Sequence, residues 1–362
     1  MTLNILSGDP PRSRLLTALL AATVLGLAFA PFIFPGARAL DVAAKICVFI
    51  VLAASYDLLL GYTGIVSFAH TMFFGIGAYG VAIALSAQGP HWLALGLGIL
   101  LALGVALVTA FLIGLFSLRV RALFYAMITL AVAQAFQTLA SQLSDLTGGE
   151  DGLSFSVPAL LAPGTSFLDA PLLGVEFNGR LLCYYLIFLC AMLLFLVLLR
   201  VVNSPFGRVL QAIRENDFRA EALGYRTVVY RTVSNVVAAG FATLAGALLA
   251  VWLRYNGPDT SLSFEIMVDL LLMVVIGGMG TLYGAMVGAT LFTLAQAYLQ
   301  DLMKLAAGLF GQGPVTGGPL GALLAPERWL LWLGVLFVLS VYYFPQGIVG
   351  RLQKDGAKRV KG

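Results

Sequence analysis

FEIMVDLLLMVVIGGMGTLYGAMVGATLFTLAQAYLQD, residues 264–301, runs for 38 residues with only three charges. As one helix at 1.5 Å per residue it would be about 57 Å long. The hydrocarbon core of a bilayer is only about 30 Å thick. GGMGTLYG (Gly277–Gly284) interrupts the stretch in its middle, so it reads as two membrane spans joined at a glycine-rich break. That reading makes the chain a polytopic membrane protein rather than a soluble one with a large core.

The rest of the sequence agrees. Hydrophobic residues make up 60% and charged residues 10%, against about 25% charged in a soluble domain. Mean hydropathy is +0.96. Ten spans are expected, at about 15–34, 41–60, 62–86, 92–117, 122–143, 181–201, 232–254, 264–279, 281–301 and 327–344. GYTG (Gly61–Gly64) divides the second from the third. Arg12 and Arg14 precede an apolar run ending in PFIFPG without a small-residue cleavage motif, which reads as a retained first helix. The cysteines, Cys47, Cys183 and Cys190, all fall inside apolar spans and read as small buried hydrophobes. No metal-ligand spacing is present, and the net charge of +4 is spread between spans rather than gathered into a nucleic-acid-binding patch.

Orientation follows from the loops. With ten spans and both ends on one side, that side holds Arg12, Arg14, Arg119, Arg121, Arg200, Arg208, Arg214, Arg219, Arg226, Arg231, Arg351, Lys354, Lys358, Arg359 and Lys361, or 15 of the 21 cations. Loop 144–180 opposes them with Asp145, Glu150, Asp151, Asp169 and Glu176 against Arg180. The basic side is expected to be cytoplasmic, with a basic tail at 346–362.

One stretch is out of character. NSPFGRVLQAIRENDFRAEALG, Asn203–Gly224, is densely charged and lies on the basic side. Ser204 suits an N-cap, Pro205 a first helical position and Gly224 a stop. A surface helix tethered at both ends is expected. The residues alone leave it as a solvated connector, a lipid-surface helix or a docking helix; its mixture of signs disfavours the lipid surface, where one sign is preferred.

Four segments carry a resemblance: SPFGRVLQAIRENDFRAEALG (204–224), GYTGIVSFAHTMFFGIGAYG (61–80), YAMITLAVAQAFQTLASQLSDLTGGEDGL (125–153) and LLMVVIGGMGTLYGAMVGA (271–289). Together, in their order along the chain, they resemble the LivM-type permease subunits of branched-chain amino acid ABC importers from about residue 40 to 345. The resemblance implies a single all-α permease domain over 1–362 in the bacterial inner membrane. It implies that 203–224 is a coupling helix, with Arg208, Arg214, Glu215, Asp217, Arg219, Glu221 and Gly224 serving the ATPase. The match to an E-A-A…G coupling loop is partial, at Glu221, Ala222 and Gly224. Cytoplasmic ATPase subunits, a second permease chain (a heterodimer) and a periplasmic solute-binding protein are the implied partners. No G-x-x-x-x-G-K-[ST] loop occurs, so ATP hydrolysis is expected on a separate chain, and neither cofactor nor enzymatic activity is expected.

Other features remain open at this level. GIGAYG (Gly75, Gly77, Gly80) has dinucleotide-fingerprint spacing but lies within an apolar span, where small residues serve close helix packing. Gly280, Gly284 and Gly288 read the same way. The breaks at Gly61–Gly64 and Gly277, Gly278 and Gly280 match the paired interruptions that flank transporter sites; tight turns between antiparallel helices are the simpler reading. Ionisable residues inside spans are functional candidates: Asp57, His70, Glu265 and Asp269. Asp57 and Glu265 are near span ends and can reach water. A zwitterionic solute would also use small polar groups, which nominates Ser67, Thr71 and Thr129 beside His70 and Asp269 for the pathway. SDLTGGEDG (Ser144–Gly152) reads as a turn-rich loop, on the face where a binding protein would arrive. The competing functions are carriage of urea, another small amide or an organic acid, and ion-coupled secondary transport through His70, Asp57 and Asp269.

Overall fold

The computed structural model describes residues 14–33, 36–117, 122–166, 177–310, 326–343 and 347–352. Arg12, Arg119, Arg121, Asp169, Glu176 and the basic tail beyond 352 lie outside the described residues.

Among the described residues, nine helices are long and apolar enough to cross a membrane. They are α1 (Arg14–Ile33), α2 (Ala37–Thr63), α3 (His70–Gln88), α4 (Trp92–Ser117), α5 (Ala122–Gln142), α7 (Gly179–Val202), α10 (Thr227–Leu253), the run α11 (Pro258–Ser261) with α12 (Phe264–Gly277), and α13 (Leu282–Phe310). The tenth expected span is a shorter helix, α14 (Trp329–Tyr343). Its 15 residues reach about 22 Å, less than a bilayer core.

The spans divide by burial. The most apolar stretch of α2 is 89% buried, whereas those of α1, α4 and α5 are 17–22% buried. A helix apolar on all sides belongs in the centre, and α2 packs against α7, α10, α12 and α13. The outer helices present Leu25, Leu93, Leu101 and Leu123 outward, as lipid-facing surfaces do. Cys47 and Cys183 are buried as expected, but Cys190 is exposed on α7; its helix face turns away from the bundle.

Glycines set the closest crossings. A Cβ at Gly75 would strike Leu262, one at Gly77 the backbone of Thr243, and one at Gly80 Ala102 and the Gly98 carbonyl. GIGAYG therefore faces α11–α12, α10 and α4 in turn, which is a packing motif. Gly284 and Gly288 likewise admit the backbone of α12. Across α4 and α10, buried Asn235 donates its Nδ2 to the Ala110 carbonyl at 2.9 Å.

Ser144–Gly152 is not a plain loop. It forms α6 (Ser144–Thr147) and a single helical turn (Gly149–Asp151), then enters strand β1 (Leu153–Ser154). β1 pairs antiparallel with β2 (Tyr255–Asn256), with Leu153 opposite Asn256. Thr147 Oγ1 donates to the Ala140 carbonyl at 2.6 Å and the Tyr255 hydroxyl to the Asp151 carbonyl at 3.0 Å. The turn chemistry is legible in the sequence; the strand partner, Tyr255–Asn256 far downstream, is not. This cap sits at the end of the bundle opposite the link between α7 and α10.

Candidate functional site

The charged stretch that links α7 to α10 is two helices, not one: α8 (Pro205–Glu215) and α9 (Asp217–Ala222). Asn216 breaks the run and its side chain caps α9, accepting from the Arg219 N–H at 2.9 Å. Pro205 occupies the first turn as expected, but Ser204 Oγ donates back to Val201 O at 2.6 Å and makes no cap bond. Gly224 has the left-handed backbone of a helix stop, φ +91°. α8 is strongly amphipathic and buries Gly207, Leu210 and Ile213.

Of the seven residues nominated here, Gly224 is the helix stop and the other six separate into two groups. Three hold the element to the bundle. Arg214 donates a short hydrogen bond to the Gly61 carbonyl. Asp217 pairs with Arg231 at 3.0 Å, and Glu221 accepts from the Thr227 hydroxyl at 2.7 Å. Arg208, Glu215 and Arg219 are exposed. Sequence reasoning missed Phe218, 82% exposed on the outward face, and grouped Leu223, 72% exposed, with the helix's apolar side. An aromatic among charges on a solvated helix was the available signal.

Beneath α8 the two glycine-rich breaks meet. Asp57 Oδ1 accepts from the Gly280 N–H at 2.9 Å. Gly61 lies so close that a Cβ there would strike both the Asp57 carboxylate and the Gly280 nitrogen. Asp57 is fully buried, which corrects the expectation that it reaches water: the break at Gly280 covers it. A Cβ at Gly347, in the short helix 347–352, would strike the Gly278 backbone. Val349 from that helix packs with Leu16 and Val287.

The breaks differ in kind. Gly278–Thr281 is a tight connection between α12 and α13, as the simpler reading has it. The first break is not a tight turn. α2 stops at Gly64, φ +72°, and residues 64–69 then run without helix, with Ile65, Ser67 and Ala69 buried. This link returns the chain alongside α2. His70, at the start of α3, sits against Ser55 and Tyr56, with Nε2 2.8 Å from Ser55 Oγ and ring centroids 5.3 Å from Tyr56. Ser55 is eight residues before Thr63, or about 12 Å along the helix axis. Irregular backbone at such depth needs partners from the protein; the Phe68 N–H finds one in Thr129 Oγ1 at 3.1 Å.

A polar centre surrounds that link. Ser67, His70, Thr71 and Thr129 are all buried, and the same region adds Ser55, Tyr56 and Tyr125. Among the described residues, neither the Tyr125 hydroxyl nor the Ser67 hydroxyl has a hydrogen-bond partner. With Tyr56 Oη and His70 Nδ1, that makes four buried polar atoms here without a partner among the described residues. Asp269 does not join this centre; it accepts from Gln296 Nε2 at 3.2 Å on an exposed stretch between α12 and α13. Among the described residues, no cluster of His, Cys, Asp and Glu is placed to hold a metal ion.

A helical membrane bundle with an interrupted span, a buried polar centre and a braced charged projection defines the class as a multi-pass transport protein. The comparisons make it specific. The chain belongs to the family described as the branched-chain amino acid transport system permease component, which matches residues 38–341. It is 25% identical over 346 residues to the high-affinity branched-chain amino acid transport permease LivM of Salmonella typhimurium, covering 91% of this chain and 74% of that protein. It is 26% identical over 345 residues to LivM of Escherichia coli K12, with the same coverage. A probable LivM of Methanocaldococcus jannaschii is 27% identical over 261 residues, covering 70% of this chain and 69% of that protein. The chain is thus a multi-pass inner-membrane permease subunit of an ABC importer, a transport component rather than an enzyme.

Proposed function

We propose that this chain forms one half of an ATP-driven import pathway for branched-chain or related amino acids. Both termini and the α8–α9 projection lie in the cytoplasm, and residues 203–224 dock an ATPase subunit. The cap built on β1 and β2 faces the periplasm and receives a loaded binding protein. A second, different permease chain completes the pathway in the membrane. Ser67, His70, Thr71 and Thr129, with Tyr56 and Tyr125, form a polar station for the solute. Hydroxyls and an imidazole suit a zwitterion, which needs donors and acceptors together rather than one net charge.

The observation that carries this reading is Phe218. It is 82% exposed on a projection whose other face is braced by Arg214, Asp217 and Glu221. A large aromatic on a rigid, solvated helix is the anchor type that dominates protein interfaces, and the exposed Arg208, Glu215 and Arg219 around it would set docking register. The ion-coupled alternative is less favoured, because Asp57, His70 and Asp269 are engaged separately, with Gly280, Ser55 and Gln296.

The test is purification of the chain from its native membrane in mild detergent, identification of its companions, and reconstitution with its binding protein. An ATPase, a second permease chain and ATP-dependent leucine, isoleucine or valine uptake are expected. Uptake of urea or an organic acid instead would replace the solute. Uptake driven by an ion gradient without ATP would overturn the reading.

A further inference from the structure

We propose that Arg214 is a force-transmitting residue rather than a docking contact: it pins the cytoplasmic projection to the joint between the two glycine-rich breaks, so that movement of α8 moves both breaks together. The inference rests on the ABC-importer reading and adds the point at which the stroke enters the bundle.

The joint is assembled from three separate parts of the chain. From α8, Arg214 donates to the Gly61 carbonyl. That carbonyl lies in the last turn of α2, where main-chain acceptors lack helical partners and a cation is favoured. The aliphatic part of the same side chain lies over Gly64, where a Cβ would sit 3.3 Å from Arg214 Cγ. From the α12–α13 connection, Gly280 approaches both partners: a Cβ there would sit 2.6 Å from Arg214 Nη1 and 3.0 Å from the Gly61 oxygen. Asp57 closes the joint by accepting from the Gly280 N–H at 2.9 Å. Thus one side chain reaches all three parts: its guanidinium meets the end of α2 and the turn that opens α13, and its stem lies over the start of the 64–69 link.

The mechanical consequence follows from what each part carries. The link 64–69 leads directly to Ser67 and His70 in the polar centre. The α12–α13 turn carries the helix pair on the other side of α2. α8 is anchored through buried Leu210 and Ile213, so displacing it displaces Arg214. An arginine fork can hold a carbonyl while its stem packs on glycine; alanine can do neither.

The experiment uses the reconstituted complex of permease chains, ATPase and binding protein. Arg214→Ala, Arg214→Gln and Arg214→Lys are compared with wild type for ATPase co-purification and for solute moved per ATP hydrolysed. For Arg214→Ala, co-purification within twofold of wild type and at least a tenfold fall in solute per ATP are expected. Lysine keeps the charge and one donor, and should recover a third or more of the ratio. An unchanged ratio, even with both rates lowered, would overturn the proposal, since a merely structural residue behaves that way. Loss of the ATPase from Arg214→Ala would also overturn it by making Arg214 a docking contact. If Arg214→Ala does not accumulate, the Arg214→Gln and Arg214→Lys ratios decide by the same criterion. If wild type itself retains no ATPase after crosslinking, the importer reading fails before this one is reached.

Discussion

Replacing Phe218 by Ala tests the docking face at the residue with most surface to lose. Fully burying a phenylalanine side chain is worth about 1.5–3 kcal/mol. Phe218 is 82% exposed before any partner arrives, so scaling that range leaves about 1.2–2.5 kcal/mol to be gained on docking. At about 1.4 kcal/mol per tenfold, Phe218→Ala weakens ATPase binding about 7- to 60-fold. Folding should be untouched, since the side chain makes little contact within the chain. The assay titrates purified ATPase against permease in nanodiscs, with thermal unfolding of the permease alone as the control. A Kd within twofold of wild type, at unchanged Tm, would refute the placement of the interface. A lowered Tm would refute the premise that Phe218 is held free. Leu223, 72% exposed, should respond in the same direction by a smaller amount.

Three further outcomes follow from other parts of the molecule. Tyr125→Phe and Ser67→Ala remove buried hydroxyls that have no hydrogen-bond partner among the described residues; Tm should hold or rise while solute uptake falls severalfold, and an unchanged uptake would make the polar centre structural. Asn235→Ala removes the α10–α4 bond to the Ala110 carbonyl and should cost about 1 kcal/mol, typical of an interhelical bond in a membrane, read as a lowered unfolding midpoint in detergent. In a variant lacking Cys47, Cys183 and Cys190, Glu150→Cys should react with an impermeant maleimide on intact spheroplasts, and Glu215→Cys only on inverted vesicles; the reverse pattern would invert the proposed orientation.

The glycine-rich breaks mark what a sequence can and cannot deliver. Span positions were legible because bilayer thickness and helix rise impose a length on apolar runs, and eight of the expected spans need only boundary shifts. Gly61–Gly64 and Gly277–Gly280 were legible as interruptions because glycine is the residue that leaves a helix at positive φ. Their difference in kind was not, since a tight turn and a buried extended link use the same residues, and the choice between them is made by Thr129 on α5, which receives the Phe68 N–H. Ser144–Gly152 hid its strand for the same reason: pairing is decided by Tyr255 and Asn256, far along the chain.

Arg214 carries that lesson into function. On a helical projection, alternate charges look equivalent in sequence, and Arg208, Arg214 and Arg219 all read as candidates for the same partner. What separates them is the surface on which α8 lies. Leu210 and Ile213 turn one face of α8 into the bundle, and Arg214, next to Ile213, is carried to the edge of that face, where the Gly61 carbonyl is within reach. Glycine at 61, 64 and 280 is then needed for a reason no local propensity supplies: any side chain at these positions would occupy the space of the guanidinium, its stem or the Asp57 carboxylate. The projection and the breaks are therefore parts of one construction. A permease that recruited an ATPase through 203–224 but lacked this joint would bind its motor and leave the 64–69 link where it was.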